Sequence, residues 1–294
     1  MNDTLKIVVL AKQVPDTRNV GKDAMKADGT VNRAALAAIF NPEDLNALEL
    51  ALRIKDQHPK STVTVLTMGP FRAAEVIREA MFRGADGGVL LTDRKFAGAD
   101  TLATSYTLSC AIRKMNPDLI IAGRQAIDGD TAQVGPQVAE KLGLPQVTYA
   151  EAVDKIDLQA GEITIRRRLE CGVETVTMKL PGVVTVNASA PECRPRNAKM
   201  VMKYKHARTV SEVQEQQEDY YMALHKERCY LCIPEWGAND VNAEPESLGL
   251  SGSPTKVKTI ENIVFQAKEA KHLTGSDTDI EGLIKELIAS HTIG

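Results

Sequence analysis

The 294-residue sequence has few aromatic side chains: five Phe, six Tyr and one Trp, 4% of the chain. A platform for single-stranded nucleic acid needs several aromatic faces along one groove, so that function is disfavoured. The charge balance agrees. Lys and Arg number 36 against 39 Asp and Glu, a net charge of −3, and there is no basic excess to hold a polyanion. No run of about 18 apolar residues occurs, so no membrane-spanning helix is expected. The opening Met1-Asn-Asp-Thr-Leu-Lys6 lacks a basic stretch followed by an apolar one, so no secretory signal is expected. The five cysteines (Cys110, Cys171, Cys193, Cys229 and Cys232) are too scattered for a disulfide framework, which points to a reducing cytoplasm.

Several site signatures are also missing. There is no Gly-x-x-x-x-Gly-Lys-Ser/Thr phosphate loop. The first apolar run leads into Leu10-Ala-Lys-Gln-Val-Pro-Asp16 where a dinucleotide fingerprint would place Gly-x-Gly-x-x-Gly. Asp128-Gly-Asp130 lacks the third ligand and the twelfth-position glutamate of a calcium loop. Cys229-x-x-Cys232 lacks two further zinc ligands and the strand-to-helix setting of a thiol-redox motif. No metal is expected.

What is present is alternation. Lys6 to Ala11, Thr62 to Met68, Gly87 to Leu91 and Leu119 to Ala122 are short apolar, β-branched runs. Between them, Pro42 to Ile54, Ala73 to Phe82, Thr101 to Met115 and Gln133 to Leu142 carry apolar residues at helical spacing. Asn41 can cap the first helix, with Pro42 in its first turn. Strands alternating with helices of this length predict an α/β fold, a mostly parallel sheet flanked by helices. From about residue 155 the texture changes. Glu162–Glu170 and Val173–Met178 alternate around Cys171-Gly172 and predict a β-hairpin, and Val183–Val186 returns to the core pattern. The stretch 190–208 is basic, and Glu212–Glu227 is charged and reads as helical. After Ile233 the chain turns rich in Gly, Ser, Pro and acids, which reads as an extended arm ending in an amphipathic helix over 279–290. The expected division is a nucleotide-binding domain over 1–233 and a C-terminal arm over 234–294.

The segment Gly123-Arg-Gln-Ala-Ile-Asp-Gly-Asp-Thr-Ala-Gln-Val-Gly-Pro136 stands at a strand-to-helix turn, where free backbone N–H groups and the helix dipole favour a phosphate. Gly129 and Gly135 permit close approach, and Thr131 and Gln133 supply donors. A polar turn capped by Asp130 or Thr131 accounts for the same residues without a ligand. Phe96-Ala-Gly-Ala-Asp-Thr101 is a second such turn, in which Asp100 or Thr101 caps a helix or touches a long ligand.

The 123–136 segment resembles the nucleotide-binding signature of the β subunit of electron-transfer flavoproteins. Val8–Asp16 is similar to that family's first strand and loop, Leu180–Thr185 to its last core strand, and Gly249–Val257 to its C-terminal arm. The resemblance covers nearly the whole chain in the expected order. It implies an adenine-nucleotide-hydrolase-like sheet with adenosine against Leu10, Ala11 and Lys12 and across from Thr67 and Met68. Ala126, Asp128, Gly129, Thr131, Ala132, Gln133 and Val134 would then bracket ribose and phosphates, Asp100 and Thr101 would reach a longer ligand, and Arg124 would tune a bound flavin. Met68 reads equally as core at a strand end.

Some family members hold AMP in this subunit, and others a second FAD with which they bifurcate electrons. Gly129, Ala132 and Val134 resemble the second group, since small or apolar residues there leave room for a pyrophosphate. The implied chemistry is hydride transfer from NADH to FAD. One electron would pass through the FAD of an α subunit to an acyl-CoA dehydrogenase-type flavoenzyme, and the other to ferredoxin or flavodoxin. No side chain of this chain is then required as acid, base or nucleophile. The resemblance also places segment 191–203 at the dehydrogenase, with Arg194, Arg196 and Lys199 steering, and the arm on the α subunit. A non-bifurcating AMP-holding subunit and a universal-stress-type ATP-binding domain are the alternatives.

Overall fold

The computed structural model describes residues 4–16, 37–216, 219–255, 270, 272–290 and 292–293. The apolar runs form strands and the 3.6-residue patterns form helices. Lys6–Leu10 (β1) leads into a small ribbon of Gln13–Pro15 (β2) against Ala38–Phe40 (β3). Pro42–Gln57 (α1) packs through Ala47, Leu48, Ala51 and Leu52. The expectation that Asn41 caps α1 through its side chain does not hold, because that side chain is engaged elsewhere. Thr62–Met68 (β4), Ala74–Arg83 (α2), Gly87–Leu91 (β5), Thr101–Met115 (α3), Leu119–Gly123 (β6) and Val134–Leu142 (α4) continue the alternation.

Gln146–Asp157 (β7) was not foreseen. Its middle, Ala150-Glu-Ala-Val-Asp154, carries neither the apolar run nor the alternation of a strand, and its pairing is broken by two register shifts. The hairpin Glu162–Leu169 (β8) and Gly172–Lys179 (β9) forms as expected, and Gly182–Val186 (β10) is wholly buried. Ala198–Tyr204 (α5), Arg208–Thr209 (β11), Val210–Gln216 (α6), Asp219–Glu227 (α7), Cys232–Ile233 (β12), Glu235–Trp236 (β13) and Asp277–Ala289 (α8) complete the described elements.

The main sheet runs β13-β5-β4-β1-β6-β10-β7-β8-β9, parallel through β7 and antiparallel in the hairpin. Two-residue alternation divides its side chains between two layers. Ile7, Val9, Val65 and Ile121 face α1 and α2, while Val8, Leu10, Leu66 and Ile120 face α3 and α4. Each such Ile, Leu or Val, removed from water, contributes about 1.5–3 kcal/mol. Strand order reverses at β1, with β4 on one side and β6 on the other, which opens a crevice at their C-terminal ends.

Two expectations need correction. First, the boundary after Ile233 does not end the packed domain. Glu235 and Trp236 pair with Leu90 and Leu91 as the edge strand, and Ala238, Val241 and Leu248 are buried in the second layer. Gly249 adopts a left-handed φ of 50°, and a Cβ there would run into the Lys95 carbonyl. Ser253 and Thr255 then bond to Asp100. The remainder of the expected arm over 256–269 lies outside the described residues. Second, Arg194 is not a free surface cation. Its guanidinium spans the buried Glu49 at 2.9 Å and Asp56 at 2.8 Å, and Arg196 pairs with Glu79.

A chain ending after Ile233 is expected to fail to fold, whereas deletion of 276–294 leaves the isolated subunit's urea midpoint unchanged, because α8 buries no residue. Leu248→Ala, at a side chain 2% exposed, should cost about 2–5 kcal/mol in the same measurement. A chain ending at Ile233 with an intact unfolding transition would contradict this.

Candidate functional site

A cavity of about 430 Å³ lies in the crevice, bounded by the ends of β1, β4 and β6 and by the starts of α3 and α4. This is a common size for a small-molecule site. Of the residues named from sequence, Leu10, Ala11, Lys12, Met68, Asp100, Thr101 and Arg124 line it. So do Ala126, Asp128, Gly129, Thr131, Ala132, Gln133 and Val134. Thr67 does not. The two-residue alternation of β4 turns Leu66 and Met68 to the cavity and leaves Thr67 fully buried, its hydroxyl without a hydrogen-bond partner.

The two helix starts at the cavity differ. Asp100 caps α3, one carboxylate oxygen accepting from the N–H groups of Leu102 and Ala103 at 2.9 and 3.0 Å. Burial works to raise its pKa, but the N–H bonds from Ala103, Thr255 and Leu102 hold it below the usual carboxylate value. The capping expected of Asp100 is therefore observed. At α4 no side chain caps the helix: Gln133 stands at the cap position without a cap bond, and Asp130 and Thr131 do not supply one. Gln133 instead accepts from the Thr101 hydroxyl at 3.0 Å, tying the two helix starts together. The first N–H groups of α4 thus remain for an anion. The loop before them holds Asp130 at φ 49° and Ala132 at φ 52°. Such conformations cost about 1–3 kcal/mol each and collect where a ligand is bound. A Cβ built on Gly129 meets nothing within 4 Å, so the space beside that residue is open.

Three residues missed from sequence fix the loop. Asn41 donates to the Gln125 carbonyl at 2.9 Å and accepts from Ile127 N–H at 3.1 Å. Glu43 accepts from Arg124 at 2.9 Å and from Gln125 N–H at 3.0 Å. Asp44 accepts from the N–H groups of Lys12 at 2.8 Å and Gly123 at 3.1 Å. A signal was available: Asp44 lies on the apolar stripe of α1 with Ala47, Leu48, Ala51 and Leu52, where an exposed acid has no place.

The cavity's cations are likewise paired. Lys12 meets Asp128 at 2.8 Å, and Arg124 meets Glu43, whose hydrogen bond raises the guanidinium pKa further. Burial pushes Asp44 up to about 7, against the opposing N–H of Lys12, the Asn41 side chain and the N–H of Gly123.

A parallel sheet with an uncapped helix start at its reversal point defines the class: an α/β protein with a ligand crevice at the carboxyl ends of its strands. The family follows from comparison with known proteins. Residues 28–214 match the electron transfer flavoprotein domain. The chain is 41% identical to an electron transfer flavoprotein subunit beta of Clostridium acetobutylicum, over 97% of this chain and 95% of that one. It is 41% identical to the caffeyl-CoA reductase-Etf complex subunit CarD of Acetobacterium woodii, over 86% of each chain. It is 39% identical to the acryloyl-CoA reductase electron transfer subunit gamma of Anaerotignum propionicum, over 98% of this chain and all of that one. The chain belongs to the electron transfer flavoprotein β-subunit family. Among the described residues, no helix is long and apolar enough to cross a membrane, and no group of three His, Cys, Asp or Glu could hold a metal.

The buried carboxylate gives a pH test of stability. Asp44 has a folded pKa of about 7 against 3.8 ordinarily, so the folded protein binds this proton more tightly than the unfolded chain. Its contribution is complete below about pH 4 and is lost as pH rises through 7. The melting temperature of unliganded wild type, relative to Asp44→Asn, should therefore fall between pH 5 and pH 8. A constant difference would show that Asp44 does not titrate there.

Proposed function

We propose that this chain is the β subunit of an electron-bifurcating electron transfer flavoprotein and holds FAD in the crevice. The observation that carries this reading is the open space at Gly129, beside an α4 start that no side chain caps. A pyrophosphate needs N–H donors and room: Gly129 adds no third carboxylate to Asp128, which Lys12 pairs, and Asp130, which Gln125 bonds, and Ala132 and Val134 leave the same wall small and apolar. The bound FAD supplies hydride acceptance from NADH and one-electron transfer, to ferredoxin or flavodoxin in one direction and through the α-subunit FAD in the other. The chain's residues bind and orient. Leu10, Ala11 and Lys12 receive the adenosine, with Met68 opposite. The 126–134 loop takes the phosphates, and Asp100 and Thr101 reach the longer ligand. Arg124 acts on the flavin as one half of a pair with Glu43. Two of the relatives bear the names of acyl-CoA-type reductase complexes, which supports an acyl-CoA dehydrogenase-type partner. The family assignment sets aside the universal-stress alternative.

Ile280, Leu283, Ile284, Leu287 and Ile288 form an apolar face on α8 that none of the described residues buries, and we assign that face to the α subunit. For the dehydrogenase, segment 191–203 offers Met202, 64% exposed, together with Lys199 and Lys203. Arg194→Glu is not a clean test of that docking. It leaves the buried Glu49 with Arg53 as its remaining cation and sets a second acid beside it, and a loss of about 1.5–3 kcal/mol is expected in urea denaturation. Lys199→Glu with Lys203→Glu should instead slow electron delivery to the dehydrogenase and spare NADH oxidation by an artificial acceptor. Wild-type stability in the Arg194→Glu variant would overturn its structural assignment.

The cofactor is tested by content. The purified αβ heterodimer should release two FAD and no AMP. Gly129→Asp, free of steric conflict in the fold, should weaken the β-site flavin at least tenfold, about 1.4 kcal/mol, by placing a carboxylate at the phosphates. One FAD plus one AMP would identify the non-bifurcating type.

A further inference from the structure

Parallel strands β1 and β6 stay in register through Leu10 and Ala122 and then part. The next N–H groups toward the cavity, those of Lys12 and Gly123, are not left to each other or to water. Both donate to the one carboxylate of Asp44, at 2.8 and 3.1 Å, from the first turn of α1. Asp44 is 7% exposed and itself lines the cavity. The packing leaves no slack, since a Cβ on Gly123 would run into an Asp44 oxygen. From these two anchored points the chain continues into Lys12 on one wall and Arg124–Gln125 on the other, where Asn41 and Glu43 take over.

We propose that Asp44 is a positioning residue for the bound nucleotide, and that its ionised carboxylate, by holding the ends of β1 and β6 together, sets the width of the crevice. The inference rests on the reading of that crevice as a nucleotide site. Two N–H donors require two acceptor oxygens, and a carboxylate has them. A protonated carboxyl, or the amide of asparagine, keeps one good acceptor and turns a donor toward the other N–H. The form that positions the ligand is thus the form that burial makes expensive in the empty protein. Charged groups around Asp44 come from each neighbouring element: Lys12 beyond β1, Arg124 at the end of β6, Glu43 on its own helix, and Asp128 and Asp130 on the loop. Among the described residues, no histidine lines the cavity.

Nucleotide affinity and empty-state stability should therefore move in opposite directions, which a purely structural residue would not produce. The αβ heterodimer, stripped of nucleotide, is titrated with AMP and with FAD at pH 6 and pH 8, as wild type and as Asp44→Asn. Wild type should bind about tenfold more tightly at pH 8 than at pH 6, the change in ionised fraction of a group titrating near 7. Asp44→Asn should bind at pH 8 no better than wild type at pH 6, while its unliganded melting temperature at pH 8 equals or exceeds that of wild type. Wild-type affinity in Asp44→Asn at pH 8 would overturn the proposal, as would weak binding accompanied by a lower unliganded melting temperature. Failure of wild type to bind either probe at both pH values would instead overturn the nucleotide reading of the crevice.

Discussion

Where two parallel strands separate, their N–H groups lose the ladder that satisfied them, and buried N–H groups must find other acceptors. In this protein one helical turn, Asn41 to Asp44, receives them. Its three polar side chains take N–H groups from Lys12, Gly123, Gln125 and Ile127 and also hold the Arg124 guanidinium. The cavity depends on that arrangement: both walls begin at atoms bonded to α1, a helix that is otherwise ordinary core. It also explains how two acids and an amide can be buried at a helix start without capping it.

The same logic separates the two strand-to-helix turns at the cavity. Each was readable in sequence as either a cap or a ligand contact. At one, Asp100 caps the helix and its second oxygen accepts from the Thr255 N–H. At the other, Asp130 and Ala132 stand in left-handed conformations and no side chain reaches the N–H groups of α4. The helix-start N–H groups of the first turn are met within the chain, and those of the second are left for something outside it.

Much of the fold was legible because the central strands are short apolar runs and the helices keep a 3.6-residue stripe; Thr62–Met68, Gly87–Leu91 and Thr101–Met115 occur as read. β7 was not, since its middle, Ala150 to Asp154, shows no alternation and no local pattern announces the register shifts there. The 235–253 segment looked like an arm because its Gly, Ser and Pro content suits extended chain, but that same content lets it pack closely on the 93–100 loop. Arg194 looked free because its partners, Glu49 and Asp56, lie about 140 residues away. In the site, the residues expected to meet a ligand lie together apart from Thr67, whereas the residues that hold them in place were visible only as an acid on an apolar stripe.

Glu235 and Trp236 also carry a temporal consequence. The β5 edge waits for a strand nearly 150 residues downstream, and the Gly98–Asp100 wall waits for Ser253 and Thr255. Contacts so distant in sequence form slowly, and an uncovered parallel edge invites pairing with other chains meanwhile. During synthesis, the first 200 residues can assemble the sheet's centre, but the crevice is closed on that side only after Ser253 and Thr255 have left the ribosome. The ligand site is thus a late product of folding, and truncated chains that retain every residue of the 123–136 loop would still lack it.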